Sequence, residues 1–549
     1  MKSLLYPEND SSQSRSRLPE GAQEDLGLDV LASALSDVGL SEHHIAKILR
    51  ELPADHETIS HRRHVLIDLS KRPVLREALQ QLLPRLRELT MFALSARDAD
   101  APLLQAVRRV GELELYVDCI EGLCDAFDES DRRDSAETLS EGLAALARYA
   151  RSARAGEQFS ALKDELPNMK EGLKKKQSVT VGINLDERFR PEEAALLSVN
   201  PARFEQSGFL GRFLESLDRS ESYRVSSVLH RMPSSNESHE RRIPLAPLFQ
   251  DLDNVLRSLG RSLERRLRSF LSLETAPLSG VEQELSFYLG AHRLKRRLEE
   301  SGLPTCFPEI TSASARRLEA EDFYNIRLAL RVLRRGGSGA DVVTNRIALD
   351  SGTTVALITG ANQGGKTTFV QGVGLLQVMA QTGLFVPARE AVISPVDTVL
   401  THFPSGEAGN IETGRLSREL EELAGVFEEA TGDSLILLNE SLAGTNAAEA
   451  VVIAEEMLAA LRRVGARILY ATHLHELAEQ LDELNQPADA GPLLTGMSAE
   501  TKWDGKEVRR TYRIVPGSAR GKSFARDVAR RHGISYDQLI DKFRGRGVL

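Results

Sequence analysis

Residues 355–368 read Val-Ala-Leu-Ile-Thr-Gly-Ala-Asn-Gln-Gly-Gly-Lys-Thr-Thr, and they constrain the fold of this chain more than any other stretch. An apolar run stops at Gly360, and Gly365, Lys366 and Thr367 complete a Gly-x-x-x-x-Gly-Lys-Thr spacing. Glycines in that order let backbone N–H groups close around phosphate oxygens. The lysine adds a point charge, and the threonine hydroxyl suits Mg²⁺. A buried strand over Thr353–Thr359 and a helix beginning near Lys366 are therefore expected, with the positive end of the helix aimed at the phosphates. The residues predicted to cradle a nucleotide are Gly360, Ala361, Asn362, Gln363, Gly364, Gly365, Lys366, Thr367 and Thr368.

Strands and helices alternate beyond Gly336-Gly337-Ser338-Gly339, which reads as a domain boundary. Ser434–Leu438 and Arg467–Ala471 are further apolar strands, so a mostly parallel sheet with helices on both faces, of the α/β P-loop class, is predicted for 336–549. Asn439 and Glu440 follow the second strand directly, at the carboxyl end where such sheets bind ligands. Glu440 is placed to direct or deprotonate a water. Asn439 stands where an acidic residue usually holds Mg²⁺; its amide oxygen accepts from metal-bound water but carries no charge, which predicts weaker Mg²⁺ affinity. His473 ends the third strand, positioned to reach a γ-phosphate or the attacking water. Lys366, Glu440 and His473 are thus the predicted catalytic residues, with Thr367 and Asn439 at the metal.

At 549 residues the chain exceeds one core. Residues 1–25 are predicted to be a disordered tail, being rich in Ser, Glu and Arg without periodicity. Leu75, Leu79, Leu82, Leu86 and Leu89 form a helical stripe, as do Leu104, Val107, Val110, Leu113 and Val117. An all-α core with an outgoing lever over 26–166 follows from such stripes. Alternation at Val179, Val181, Ile183 and Leu185 predicts a strand, Tyr223 to Met232 another, and 167–247 a small mixed α/β insertion. Helical spacing returns at Leu252, Leu256, Leu259, Leu263 and Leu267, giving returning lever helices over 248–335.

The formal net charge of −10 does not advertise nucleic acid, so DNA contact would need local basic surfaces. Lys174-Lys175-Lys176, the Arg261/Arg265/Arg266/Arg268 cluster and Arg293/Lys295/Arg296/Arg297 are the candidates, each interleaved with glutamates that also fit a solvated face. Three cysteines without metal-ligand spacing suggest free thiols in a reducing compartment. With no apolar run of membrane-spanning length and no signal-peptide core, a cytoplasmic protein without a membrane partner is expected.

Together these motifs resemble the ATPase domain of the MutS family of DNA mismatch-repair proteins. Ile358–Thr368 is similar to its Walker A loop, with Asn362 at the family's asparagine position. Asn439-Glu-Ser-Leu-Ala-Gly-Thr445 resembles its Walker B segment and Ala471-Thr-His473 its following switch. Tyr512–Gly517, Lys522-Ser-Phe524 and Ala529–Gly533 resemble its closing segment. The resemblance implies ATP and Mg²⁺ as cofactors, a homodimer formed through the ATPase domains, and helical arms that embrace DNA. It also implies a member without the N-terminal mismatch-reading and connector domains. Two positions depart from the pattern. Asn439 replaces Asp, and beside Gly414-Arg415, in the segment that completes the partner subunit's site, Leu416 stands where serine is expected and Ser417 is displaced by one. A DNA-dependent ATPase of repair or recombination is the leading expectation. A nucleotide-gated, non-hydrolysing scaffold and a chromosome-maintenance or transport-type ATPase are the alternatives.

Overall fold

A computed structural model describes residues 3–7, 15–36, 39–95, 102–134, 138–174, 178–185, 187, 191–200, 223–224, 230–231, 263–270, 273–360, 363–404, 415–442, 446–486, 491–503, 508–517 and 534–546. In chain order the strands are β1 (Arg15–Arg17), β2 (Glu51–Pro53), β3 (Ser178–Leu185), β4 (Pro191–Asn200), β5 (Tyr223–Arg224), β6 (His230–Arg231), β7 (Glu309–Ile310) and β8 (Leu318–Phe323). They continue with β9 (Asn345–Leu349), β10 (Thr353–Thr359), β11 (Glu390–Ile393), β12 (Val399–His402), β13 (Leu435–Asn439), β14 (Arg467–Ala471), β15 (Leu493–Trp503) and β16 (Val508–Pro516). The chain forms two compact units, one of residues 72–137 and 144–282, the other of residues 2–71, 138–143 and 283–549.

The first unit is largely helical. Its helices include Pro73–Ser95, Pro102–Arg133 and Glu157–Lys174, and the expected stripe is buried at Leu75, Leu79, Leu82, Leu86 and Leu89. Val110, Leu113 and Val117 are buried as well, whereas Val107 is half-buried. Gly122 lets the long helices approach, since a Cβ there would lie 2.7 Å from a Leu82 methyl. β3 pairs antiparallel with β4, and β5 and β6 both pair with β4, so the predicted strand at 179–185 is present. Of the other expected strand, Tyr223–Arg224 and His230–Arg231 pair with β4, and 225–229 and Met232 lie outside the described residues. Leu263 and Leu267 are buried; Leu252, Leu256 and Leu259, like most of the expected insertion, lie outside the described residues.

The second unit centres on a six-stranded sheet of order β12-β13-β14-β10-β15-β16. All neighbours run parallel except β15 and β16. β10 and β14 have the bounds expected from sequence, and β13 is displaced by one residue from Ser434–Leu438. Strands covered on both faces read as continuous apolar runs, and every β14 residue is buried. Val355, Leu357, Ile436, Leu438, Ile468 and Tyr470 pack with Ala450, Ala454 and Leu458 of helix Ala447–Val464. Leu437 faces the other way, against helix Lys366–Gln381 at Gly374.

Two domain expectations need correction. The stretch 1–25 is not wholly a disordered tail. β1 pairs with β2, helix Glu20–Leu26 follows, and Leu4, Leu5, Leu18, Ala22 and Leu26 are at most 3% exposed. The reason is tertiary. A Cβ on Gly374 would meet Leu26 at 2.5 Å and Leu437 at 2.7 Å, so the absent side chain seats the N-terminal helix on the helix that follows the glycine-rich loop. Nor do helices occupy all of 248–335. β7 and β8 precede residue 336 and join β9 and β11 in a four-stranded sheet of order β7-β11-β8-β9. Leu318, Ala320 and Phe323 turn inward from β8, where burial in this second sheet overrides the helical reading.

Candidate nucleotide site

Gly360 follows β10 with φ 128°, a region open to glycine and strained for other residues. A Cβ there would lie 2.8 Å from Ala499 Cβ and 3.0 Å from its nitrogen, so β15 also demands glycine. Gly365, at φ 94°, caps helix Lys366–Gln381, which starts on the predicted residue. The N-terminal turn of such a helix is a ready seat for anionic oxygen. Asn325 braces this turn from outside. Its Nδ2 donates to Thr368 O at 2.8 Å, while its Oδ1 accepts from Leu328 N at 3.1 Å and caps helix Ile326–Arg334.

Lys366 is 3% exposed, and its Nζ donates to Gly360 O at 2.9 Å. The Glu440 carboxylate stands 3.7 Å from the same Nζ and remains 40% exposed. Burial pulls the Lys366 ammonium below the usual lysine range, and Glu440 opposes that fall. Thr367 Oγ1 donates to Asn439 Oδ1 at 2.8 Å, joining the start of the helix to the end of β13. A neutral hydroxyl and an amide oxygen beside a carboxylate form a hard-oxygen donor set, which fits a Mg²⁺ ion that keeps most of its water.

Gly364, Gly365, Lys366, Thr367, Thr368 and Glu440 line a cavity of about 390 Å³ together with Gln363. Ala361 and Asn362 lie outside the described residues. His473 is exposed and is not part of the cavity wall, although Thr472 beside it is buried and its N–H donates to Ile358 O at 2.9 Å. The far wall contains groups that were not singled out from the sequence for this site. Phe323, Tyr324, Val343, Asn345 and Tyr512 give it an aromatic and amide character suited to the flat, polar-edged part of a ligand. Tyr512 is 51% exposed and has φ 61°. The amphipathic run 326–334, preceded by an asparagine cap, was the legible signal for that wall.

Three side chains of the basic clusters pair with carboxylates. Arg266 pairs with Glu165 at 2.5 Å and Arg296 with Glu300 at 2.8 Å, and Lys295 pairs with Glu299. Lys175, Lys176 and Arg261 lie outside the described residues, as do 405–414 with Gly414, and 518–533 with Lys522–Phe524 and Ala529–Gly533. No helix among the described residues is long and apolar enough to cross a membrane.

A mostly parallel sheet, with a glycine-rich turn into a buried helix and polar residues at the end of a nearby strand, places the second unit in the α/β class. Comparison with known proteins agrees with that class and narrows it. Residues 356–542 match the family model for MutS domain V, and residues 54–301 match that for the MutS2 N-terminal domain. The DNA mismatch repair protein MutS of Thermotoga maritima is 34% identical over 202 residues, 36% of this chain and 24% of the relative. That of Methanothrix thermoacetophila is 25% identical over 535 residues, 94% of this chain and 59% of the relative. The chain belongs to the MutS family, with a MutS2-like N-terminal match. It spans less than two thirds of the length of these relatives.

Proposed function

We propose that this protein is a Mg²⁺-dependent ATPase that couples nucleotide binding and hydrolysis to engagement of DNA. The observation that carries the reading is the convergence of Lys366, Thr367 and Glu440 on one cavity, with Asn439 hydrogen-bonded to Thr367. Backbone N–H groups of 364–368 and the Lys366 ammonium bind the phosphates, and Lys366 stabilises charge on the transferring phosphoryl group. Glu440, still partly exposed, releases its contact with Lys366 to the phosphate and orients or accepts a proton from the attacking water. Bound Mg²⁺, held through Thr367 and Asn439, would supply charge neutralisation on the phosphate oxygens. His473 is proposed to read the γ-phosphate from the end of β14. Tyr512, Asn345 and Tyr324 receive the remainder of the nucleotide.

The names of the relatives, DNA mismatch repair protein MutS, support DNA as the partner class. A homodimer through the ATPase domain, 336–549, is proposed on the resemblance of its motifs to those of the MutS family. The domain expectation becomes a proposal that the helical arms over 26–166 and 248–335 embrace DNA while 336–549 binds nucleotide. One observation favours a second reading: Asn439 contributes no charge, as a nucleotide-gated scaffold with lost hydrolysis would have it.

The test is ATP binding and turnover by the purified chain with no DNA, duplex, mismatched and four-way-junction DNA. The proposal expects turnover that changes with DNA. Tight ATP binding with no phosphate release under any condition would favour the scaffold.

A further inference from the structure

Glu440 has φ 53° and Leu442 φ 71°, so two non-glycine residues within three positions adopt the left-handed region. Such backbone persists only where its surroundings over-determine it. Four hydrogen bonds do so here. Glu440 N donates to Ala471 O at 2.7 Å, and Ser441 O accepts from the Tyr470 hydroxyl at 2.8 Å, both from β14. Leu442 N donates to Glu419 Oε1 at 2.6 Å, and Ser441 Oγ lies 2.7 Å from His402 Nδ1.

The last two partners come from elsewhere. His402 is the final residue of β12, and Glu419 lies near the start of helix Arg415–Glu429. They are 5% and 6% exposed, and neither lines the cavity. Burying an imidazole and a carboxylate is costly unless each holds something specific. His402 Nε2 stands 3.6 Å from Glu422, too long for a hydrogen bond, while Nδ1 shares a hydrogen bond with the Ser441 hydroxyl. Burial lowers the ring's pKa, opposed by Glu419 and Glu422.

We propose that His402 and Glu419 are positioning residues: through Ser441 and Leu442 they fix the strained turn that aims the Glu440 carboxylate, so the placement of β12 and helix Arg415–Glu429 sets the rate of hydrolysis. The inference rests on the ATPase reading above. Neither residue touches nucleotide; the effect on chemistry passes through the backbone of 440–442.

Ser441→Ala and His402→Phe remove the Oγ bond from either side, and His402→Gln retains a partner for Ser441. Ser441→Ala and His402→Phe should each lower kcat about tenfold, as a small misplacement of a reacting group does. The Kd for ATP should stay within about twofold of the parent, and His402→Gln should recover most of the rate. Hydrogen exchange of the 440–442 amides in nucleotide-free protein is the second measurement and should accelerate in the first two variants. Unchanged kcat together with unchanged exchange would overturn the proposal. So would parallel loss of ATP binding and turnover, which marks a merely structural role. If the parent chain releases no phosphate, it is the ATPase reading that fails. The exchange experiment then decides the restraint by itself: acceleration supports it and no change overturns it.

Discussion

The hydroxyl of Thr367 donates to the side-chain oxygen of Asn439 at 2.8 Å, so the second residue of helix Lys366–Gln381 and the last residue of β13 meet through two uncharged oxygens. Restoring a carboxylate at this position adds charge without changing the shape of the side chain. Asn439→Asp should lower the Mg²⁺ concentration for half-maximal turnover roughly tenfold, since ligand charge count tunes such sites over decades. A Mg²⁺ titration of phosphate release checks this, and an unchanged midpoint would remove Asn439 from the metal site.

Gly360 tolerates no side chain, because φ is 128° and β15 backbone lies 3.0 Å from where a Cβ would stand. Gly360→Ala should cost about 1–3 kcal/mol of stability and weaken ATP binding out of proportion to that loss. Denaturation and nucleotide titration of the same preparation separate the two effects. Wild-type ATP affinity in this variant would contradict the geometry of the loop.

Leu26 is fully buried against the helix that follows the loop. Leu26→Ala should destabilise the second unit by about 2–5 kcal/mol. Urea denaturation monitored by nucleotide binding is the appropriate probe, and a shift no larger than that of a surface substitution would return the N-terminal segment to the status of a tail.

Glu284 accepts from Ser3 Oγ at 2.5 Å and from Leu4 N at 2.6 Å, yet burial raises its pKa above the ordinary glutamate value. The folded state therefore holds a proton more tightly than the unfolded chain. Stability contributed by this group is present at low pH and is lost as pH rises from the unfolded value through the raised folded one. Glu284→Gln, neutral throughout, should gain stability relative to wild type as pH rises across that window. A stability difference that stays flat with pH would contradict the assignment.

The legibility of this chain varied with how local the cause was. β10 and β14 were readable to the residue, because a strand covered on both faces has no polar interruptions. Glu440 was readable because it directly follows such a run. What escaped was set by distant partners. Leu18, Ala22 and Leu26 recur every four residues, but Ser, Glu and Arg around them hid the pattern, and their burial depends on Gly374 far along the chain. β8 is six residues long and gains its sheet from β9 and β11, which sequence adjacency does not reveal. His402 and Glu419 were silent for a different reason. Their roles exist only relative to the strained backbone of 440–442, and no spacing in the sequence encodes a φ of 53° at a glutamate.

The central claim is that Glu440 serves the hydrolytic step and Lys366 serves phosphate binding, and the most direct measurement is Mg²⁺-dependent phosphate release alongside ATP affinity for wild type, Glu440→Gln and Lys366→Ala. The account predicts turnover in the wild type, retained ATP binding with at least about a hundredfold slower turnover in Glu440→Gln, and loss of tight binding in Lys366→Ala. Equal loss of ATP binding in both variants, or undiminished turnover in Glu440→Gln, would contradict it.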